Sequence, residues 1–201
     1  MNENQTPSGS LYGEHLPEME AILAELTAWI EQLRSHTKRE TGDDPVEHVL
    51  GRIKTEESMR DKCRRRGIPE TTESALNEVH DAIGVRAVCA FLSDVYTVRD
   101  HVAAFPGAEI VKEKDYIRHA KKNGYRSYHM ILKIRGKYFA EVQIRTISMD
   151  TWAALEHHLK YKRDAVKNEA LIVGELKRCA DELASTDISM QTIRDMIFEE
   201  A

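Results

Sequence analysis

Apolar side chains recur at helical spacing near both ends of the chain. Between Pro17 and about Glu40 this spacing predicts an amphipathic helix, and the glycine and proline that soon follow are typical of a helix end. Residues 1–15 are rich in Pro, Ser, Gly, Asn and Gln, which predicts a disordered lead-in. Near the other end, the same spacing predicts two helices, over about 147–162 and 166–198.

The middle of the chain carries the strand signals. Residues 46–54 suit a short strand, and residues 108–112 suit another. The run from Ile83 to Leu92 is almost continuously apolar, as in a central strand that is covered on both faces. Helices are predicted between these strands, one capped by Thr55 and one that begins at Ser93.

Strict alternation of apolar and polar residues predicts a β-hairpin over residues 127–146. Matching the apolar faces of its two arms pairs Ile134 with Tyr138 and His129 with Gln143. In this register His129, Glu141, Gln143 and Arg145 lie on one face of the sheet, opposite the core. Strands that alternate with helices predict a mixed α/β (α+β) fold, with helices around the sheet and amphipathic helices at both termini.

Length and composition fit a globular domain. The chain has 201 residues, of which 41% are hydrophobic and 31% are charged, and no apolar run is long enough to span a membrane. It opens without the basic and apolar regions of a signal peptide. The three cysteines are widely separated and form neither a disulfide framework nor a metal-binding pair. We therefore expect a soluble, cytoplasmic protein.

Charge is unevenly distributed along the chain. The net charge of −5, taken alone, argues against a polyphosphate or nucleic-acid partner. Residues 48–66 nevertheless sum to +4 and residues 112–145 to +7, and the segments around them are acidic. For either basic segment alone, a solvated surface helix is as good an explanation as a functional site. Two basic segments that flank one acidic stretch require a joint explanation.

Motifs exclude several chemistries and leave one open. The chain lacks the GxSxG motif of nucleophilic hydrolases, the P-loop and the GxGxxG motif, so phosphate binding would depend on side-chain cations. Asp81, at the start of an apolar strand, is either a turn residue or a Mg²⁺ ligand, and Glu141 is the natural second carboxylate. Two carboxylates among basic side chains fit metal-assisted phosphoryl transfer. The basic side chains are Arg52, Lys54, Arg64, Arg65, Arg66, Lys121, Lys122 and Arg126.

A loop in the second basic segment suits base recognition. Its sequence from residue 121 is KKNGYRSYH, so that lysines for phosphate neutralisation precede an aromatic ring. A purine can stack on Tyr125. A lone tyrosine is more often a packing residue, but a position between two cationic runs favours stacking.

Five ordered motifs resemble the synthetase domain of RelA/SpoT homologues. They are GRIK at 51–54, DAIGVR at 81–86, KDYI at 114–117, NGYRSYH at 123–129 and EVQIRT at 141–146. The resemblance covers about residues 17–190, and the short chain is similar to small alarmone synthetases of the RelQ/RelP type. It implies a nucleotidyltransferase-like mixed sheet and one synthetase domain over 16–201, with its catalytic core at about 46–160.

The resemblance also implies an activity, that of a GTP diphosphokinase without hydrolase activity. Such an enzyme transfers the β,γ-pyrophosphate of ATP to the ribose 3′-hydroxyl of GTP or GDP, which yields the stringent-response alarmone pppGpp or ppGpp and releases AMP. The implied cofactor is Mg²⁺ and the implied assembly is a homotetramer. RNA is a possible further partner, and no membrane partner is implied.

Roles carry over from the family by position in the motifs. Arg52 and Arg86 would sandwich the adenine, and Tyr125 would stack on guanine. The two carboxylates would bind Mg²⁺, and Glu141 would also activate the attacking hydroxyl. The implied ATP-binding residues are Arg52, Lys54, Lys62, Arg65 and Arg86, the guanine-nucleotide residues are Lys121, Asn123, Tyr125, His129 and Gln143, and the catalytic and metal-binding residues are Asp81 and Glu141.

Three positions depart from the pattern of the RelQ type, which usually has Phe, Thr and Asn where this chain has His48, Leu50 and Asp150. Those positions help to bind an allosteric alarmone between subunits, so activation by product is an open question. Two alternative functions also remain. One is a toxic relative that pyrophosphorylates adenosine nucleotides or tRNA 3′ ends, and the other is a non-catalytic RNA- or nucleotide-binding regulator.

Overall fold

A five-stranded mixed sheet organises the protein, for which a computed structural model describes residues 10–40, 44–160 and 168–199. The elements in chain order are α1 (Leu16–Glu40), β1 (His48–Ile53), α2 (Glu56–Arg66), β2 (Ile83–Cys89), α3 (Leu92–Ala103), β3 (Ala108–Asp115), β4 (Tyr128–Ile134), β5 (Tyr138–Thr146), α4 (Ile147–Lys160) and α5 (Glu169–Glu199). The strand order is β1-β2-β5-β4-β3. The β2–β5 pair is parallel and the other pairs are antiparallel, which confirms the predicted mixed α+β sheet.

The core lies on one face of the sheet, beneath α1 and α3. Val85, Val142 and Met130 are neighbours across β2, β5 and β4, and all three are buried. Four residues of the apolar stripe predicted for α1 are fully buried in this core, namely Met19, Ile22, Leu26 and Ile30, and its other members, Leu23, Trp29 and Leu33, are partly buried against it. Because strand side chains alternate between faces, the opposite face of the same strands is left for polar residues.

The predicted lead-in is wrong for its last residues. Leu11 and Tyr12 are buried in the core, and the Tyr12 hydroxyl donates to the carbonyl oxygen of Lys54 at 2.7 Å. Two apolar residues within a polar segment are too few to produce a periodic signal, so the sequence pattern missed them. Residues 1–9 lie outside the described residues, as do residues 161–167, into which the two predicted C-terminal helices would extend.

The hairpin register is confirmed, whereas β3 differs from its prediction. His129 lies opposite Gln143, as expected. The third strand was predicted to end at residue 112 but continues to Asp115, and its pairing with β4 contains a β-bulge at Val111. The extra residue reverses the alternation of side chains, so that Lys112 and Lys114 lie on the polar face of the sheet.

Helix α2 shows the predicted end signals, whereas Gly42, the glycine predicted to end α1, lies outside the described residues. Thr55 Oγ1 accepts a hydrogen bond from the Ser58 backbone N–H at 3.3 Å and caps α2, which ends at Gly67 with a φ of 69°. No helix in the described parts of the chain has the length and apolar character needed to cross a membrane.

Candidate active site

The polar face of the sheet aligns side chains in two neighbouring rows. One row, taken across β1, β2, β5, β4 and β3, contains Arg52, Gly84, Glu141, Ile131 and Lys112. The next row contains Leu50, Arg86, Gln143, His129 and Lys114. Directly paired residues project to the same face, so the register alone brings these distant segments of sequence together.

Two clefts open on this face and share Asp81 and Glu141. We call the first the arginine cleft; its volume is about 250 Å³, and it lies between Arg52 and Arg86. We call the second the lysine cleft; its volume is about 300 Å³, and its basic lining residues are Lys62, Arg66, Lys112, Lys114 and Lys121. His129 also lines the lysine cleft, and Gln143 lines the arginine cleft. A pair of carboxylates therefore lies where two cation-lined clefts meet.

Asp81 has one satisfied carboxylate oxygen and one orphaned oxygen. Its Oδ2 lies 2.5 Å from Lys62 Nζ and 3.2 Å from Lys54 Nζ. Its Oδ1 is buried and accepts no hydrogen bond from any described residue. A buried acceptor without a partner indicates a missing ligand, and a hard divalent cation is the ligand that suits a carboxylate oxygen. Within the described ranges no cluster of three or more His, Cys, Asp or Glu side chains converges, but Mg²⁺ commonly uses one or two carboxylates plus substrate phosphates.

Glu141 is held as a carboxylate. Its Oε1 lies 3.4 Å from Nδ1 of His129, and its Oε2 accepts a hydrogen bond from Gln143 Nε2 at 2.8 Å. Burial alone would raise the pKa of Glu141, but the hydrogen bond and charge of His129 outweigh burial and lower this pKa to about 2. The group is therefore anionic at neutral pH.

The loop that contains Tyr125 rests on α5. Gly124 has a φ of 91°, and a Cβ atom there would lie 2.6 Å from Ala180 Cβ and 3.0 Å from Lys177 Cα. Only glycine permits this backbone shape and this close approach. Arg126 fastens the same loop to α5 through Asp181, at 3.1 Å.

Tyr125 is held in place by its hydroxyl group and its ring. The hydroxyl lies 2.8 Å from Nε2 of His129 and accepts a hydrogen bond from Nη2 of Arg145 at 2.7 Å. Lys121 Nζ lies 4.6 Å from the ring centroid, and the Arg145 guanidinium carbon lies 5.2 Å from it. Asn123 supports the turn, because its Oδ1 accepts a hydrogen bond from the Tyr125 backbone N–H.

The clefts gather most of the residues singled out from the sequence, but not all of them. Four of the predicted binding residues line neither cleft, namely Lys54, Arg65, Asn123 and Tyr125, although Lys54 contacts Asp81. Arg65 is exposed on α2, and its Nε points to the Asp61 carbonyl oxygen at 3.4 Å. Lys62 and Arg66 are four residues apart, so they share the helix face that meets the lysine cleft. The phosphate-binding role of Arg65 stays a prediction.

Sequence reasoning missed the contribution of β3. Lys112, Lys114 and Tyr116 all line the lysine cleft. Their spacing of two residues was a usable strand signal within the +7 segment. It was not followed because the strand was predicted to end at residue 112, and the bulge that turns these residues toward the site leaves no mark in the polarity pattern.

Comparisons with known proteins agree with this geometry. Residues 51–166 match the family model described as a region found in RelA / SpoT proteins. The GTP pyrophosphokinase YwaC of Bacillus subtilis is 42% identical over 149 residues, which cover 70% of each chain. The GTP pyrophosphokinase YjbM of the same organism is 31% identical over 182 residues, which cover 87% of this chain and 84% of the relative. The crystal structure of small alarmone synthetase 1 from Bacillus subtilis bound to its product pppGpp superposes with a TM-score of 0.79 at 30% identity and covers 91% of this chain and 96% of that one.

Proposed function

The chain belongs to the RelA/SpoT family, and from this premise we propose that it is a (p)ppGpp synthetase. It is a GTP diphosphokinase, which transfers the β,γ-pyrophosphate of ATP to the ribose 3′-hydroxyl of GTP or GDP. The 3′ oxygen forms a bond to the β-phosphorus, the bond from that phosphorus to the α,β-bridging oxygen breaks, and AMP leaves. The observation that carries the proposal is the junction of two cation-lined clefts at Asp81 and Glu141.

The arginine cleft is the proposed ATP site. Arg52 and Arg86 lie on adjacent antiparallel strands and line the same cavity, which suits a planar base between two guanidinium groups. Lys54 and Lys62 both contact Asp81, so cations lie at the carboxylate end of the cleft, where the ATP phosphates would be. Arg65 would reach this region only by extending from the exposed side of α2.

The lysine cleft is the proposed site of the guanine nucleotide. Lys112, Lys114 and Lys121 would neutralise the phosphates of the acceptor, and Tyr125 would stack on the base after Lys121 moves away from the ring. His129 and Gln143 would bind the ribose, because they flank Glu141 on the face shared by the two clefts. Asn123 would act through the turn that it stabilises.

We further propose that Mg²⁺ is the cofactor, held by Asp81 Oδ1 and Glu141. When bound, the ion would neutralise charge on the transferred phosphates. The low pKa of Glu141 makes this carboxylate a weak proton acceptor before substrate binds. Glu141 would also orient the 3′-hydroxyl by accepting its hydrogen bond.

The product assay tests the activity directly. Purified protein is incubated with Mg²⁺, ATP and labelled GTP or GDP, and the products are separated by anion exchange. We expect a guanosine nucleotide with a 3′-pyrophosphate, formed in equal amount with AMP. Absence of this product with both acceptors would refute the proposed function, and transfer to adenosine nucleotides or tRNA in their place would support the toxic alternative.

Two charge-removing variants test the carboxylates. Asp81→Asn and Glu141→Gln should each lower kcat by at least ~10²-fold, because each removes a charge that stabilises the reacting phosphates. Asp100→Asn is the matched control, since Asp100 is an exposed carboxylate on α3 that pairs with Arg99. A turnover near that of the control in either site variant would remove that residue from the site.

We also propose that the chain forms a homotetramer. The support is a set of apolar side chains on the last turns of α5 that are each 49–61% exposed, namely Ile188, Ile193, Met196, Ile197 and Phe198. Exposed apolar surface of this kind commonly marks an interface. Light scattering should give four times the chain mass of 23.0 kDa, and a monomer mass would contradict the proposal. Binding of RNA stays a prediction from the sequence.

A further inference from the structure

A buried cation, Arg145, organises the acceptor side of the site. Its side chain is only 6% exposed, and its Nη2 donates to Gln143 Oε1 and to the Tyr125 hydroxyl, each at 2.7 Å. Its Nη1 donates to Oδ1 of Asp150 at 3.0 Å. Removing the anionic partner of a buried guanidinium leaves an uncompensated charge, which is strongly unfavourable. The Asp150 carboxylate therefore holds Arg145 against the residues proposed to bind the guanine nucleotide.

The same carboxylate oxygen also faces the arginine cleft. Nη1 of Arg86 lies 3.2 Å from Asp150 Oδ1. The Nε atom of Arg86 is buried and forms no hydrogen bond with any described residue, so Asp150 supplies the ionic contact that orients this guanidinium. One oxygen atom thus serves an arginine of each substrate site.

Asp150 is itself fixed to the end of β5. It lies in the first turn of α4, where an acidic side chain is stabilised by the helix dipole. The preceding residue, Met149, donates its backbone N–H to Thr146 Oγ1 at 3.2 Å, so the start of α4 is tied to the last residue of the strand. The carboxylate is 19% exposed and lies within 3.2 Å of both arginines.

We propose that Asp150 is a positioning residue that couples ATP binding to acceptor binding. The inference rests on the proposed function, since it takes the arginine cleft as the ATP site and the lysine cleft as the acceptor site. When adenine binds between Arg52 and Arg86, it fixes the Arg86 guanidinium, and this orients Asp150 Oδ1. That oxygen in turn fixes Arg145, and with it Tyr125. By linkage, a bound acceptor strengthens ATP binding by the same factor.

Calorimetric titration of a non-hydrolysable ATP analogue, without and with saturating GDP, measures this coupling in the absence of product. In the parent protein, GDP should lower the analogue Kd by about 5-fold or more. In Asp150→Asn, which keeps the side-chain shape but removes the charge, the ratio of the two Kd values should fall close to one. Initial-rate measurements on this variant should show a raised KM for both nucleotides.

Asp187→Asn is the matched control. Asp187 is a buried carboxylate on α5 that contacts the end of β5, but it accepts hydrogen bonds from Thr146 and Ser148 and contacts no arginine of either site. This variant should keep the parent ratio of Kd values. A general loosening of the β5–α4 junction would lower the ratio in both variants, whereas positioning by Asp150 lowers it only in Asp150→Asn.

A second variant keeps the inference testable if Asp150→Asn folds poorly. Arg86→Lys alters the arginine cleft only, yet coupling through Asp150 requires it to raise the KM for GDP as well as the KM for ATP. The inference would be overturned if the ratio of the two Kd values were one in the parent protein or stayed unchanged in Asp150→Asn. It would also be overturned if Arg86→Lys raised the KM for ATP alone. If the parent protein formed no 3′-pyrophosphate product but showed the expected ratio of Kd values, the result would count against the proposed function alone.

Discussion

Gly124 offers a quantitative test of how α5 supports the acceptor loop. An alanine at this position would meet two penalties, because φ is 91° and because the new Cβ atom would lie 2.6 Å from Ala180 Cβ and 3.0 Å from the Lys177 backbone. Left-handed backbone costs a non-glycine residue about 1–2 kcal/mol. Overpacking against a backbone atom that cannot rotate away adds about 1–3 kcal/mol.

Gly136→Ala is the matched control for Gly124→Ala. Gly136 has a φ of 67° in the hairpin loop, and an added Cβ there would have no neighbour within 4 Å. It should therefore carry only the backbone penalty. The difference between the two variants isolates the contact with α5, and we expect Gly124→Ala to be less stable than the control by about 1–3 kcal/mol.

Urea unfolding followed by tryptophan fluorescence measures this difference. Trp152 is a suitable reporter, because its indole N–H donates to the Leu176 carbonyl oxygen of α5 at 2.9 Å. Both variants are compared at one protein concentration, since assembly contributes to apparent stability. Gly124→Ala should also raise the KM for GDP, because the loop that Gly124 shapes carries Tyr125. Equal stabilities, or equal KM values for GDP, would refute the argument that the loop is shaped by α5.

Two further predictions concern charge. Burial raises the pKa of Asp187, so the folded chain holds a proton that the unfolded chain has already lost, and stability falls as the pH rises from the ordinary Asp value through the raised one. Asp187→Asn should remove this loss, and unfolding free energies measured from pH 3.5 upward should increasingly favour the variant; a constant difference would contradict the burial argument. Lys112→Ala and Lys114→Ala should each raise the KM for the guanine nucleotide several-fold and weaken its salt dependence, because both line the lysine cleft. Steady-state kinetics at two ionic strengths measure both KM values, and a rise in the KM for ATP in place of the KM for the guanine nucleotide would contradict this prediction.

Much of the sheet was predictable because its strands have strong local patterns. The hairpin register followed from strict alternation, and that register alone placed His129, Glu141 and Gln143 on one face. The sequence left two interpretations of Asp81, a turn residue and a Mg²⁺ ligand. Its buried Oδ1, which has no partner among the described residues, favours the ligand.

Other features depend on tertiary contacts that leave no periodic signal. The two bonds of Asp150 exist only because α4 packs beside the ends of β2 and β5. Likewise, the sequence indicated only a turn at Gly124, although this residue closely contacts α5, which begins 45 residues later in the chain. Side-chain polarity records which face a residue takes within its own element, and it contains no information on which distant element will cover that face.

The bulge at Val111 has a consequence for how this protein can evolve. Upstream of it, Ile110 lies opposite the buried Leu132, and downstream Lys114 lies opposite His129. One residue of chain length therefore decides whether Lys112 and Lys114 face the lysine cleft or the apolar layer of the sheet. A single substitution changes the charge of one side chain in the lysine cleft, whereas a one-residue deletion at the bulge would turn both lysines away from the cleft in one step.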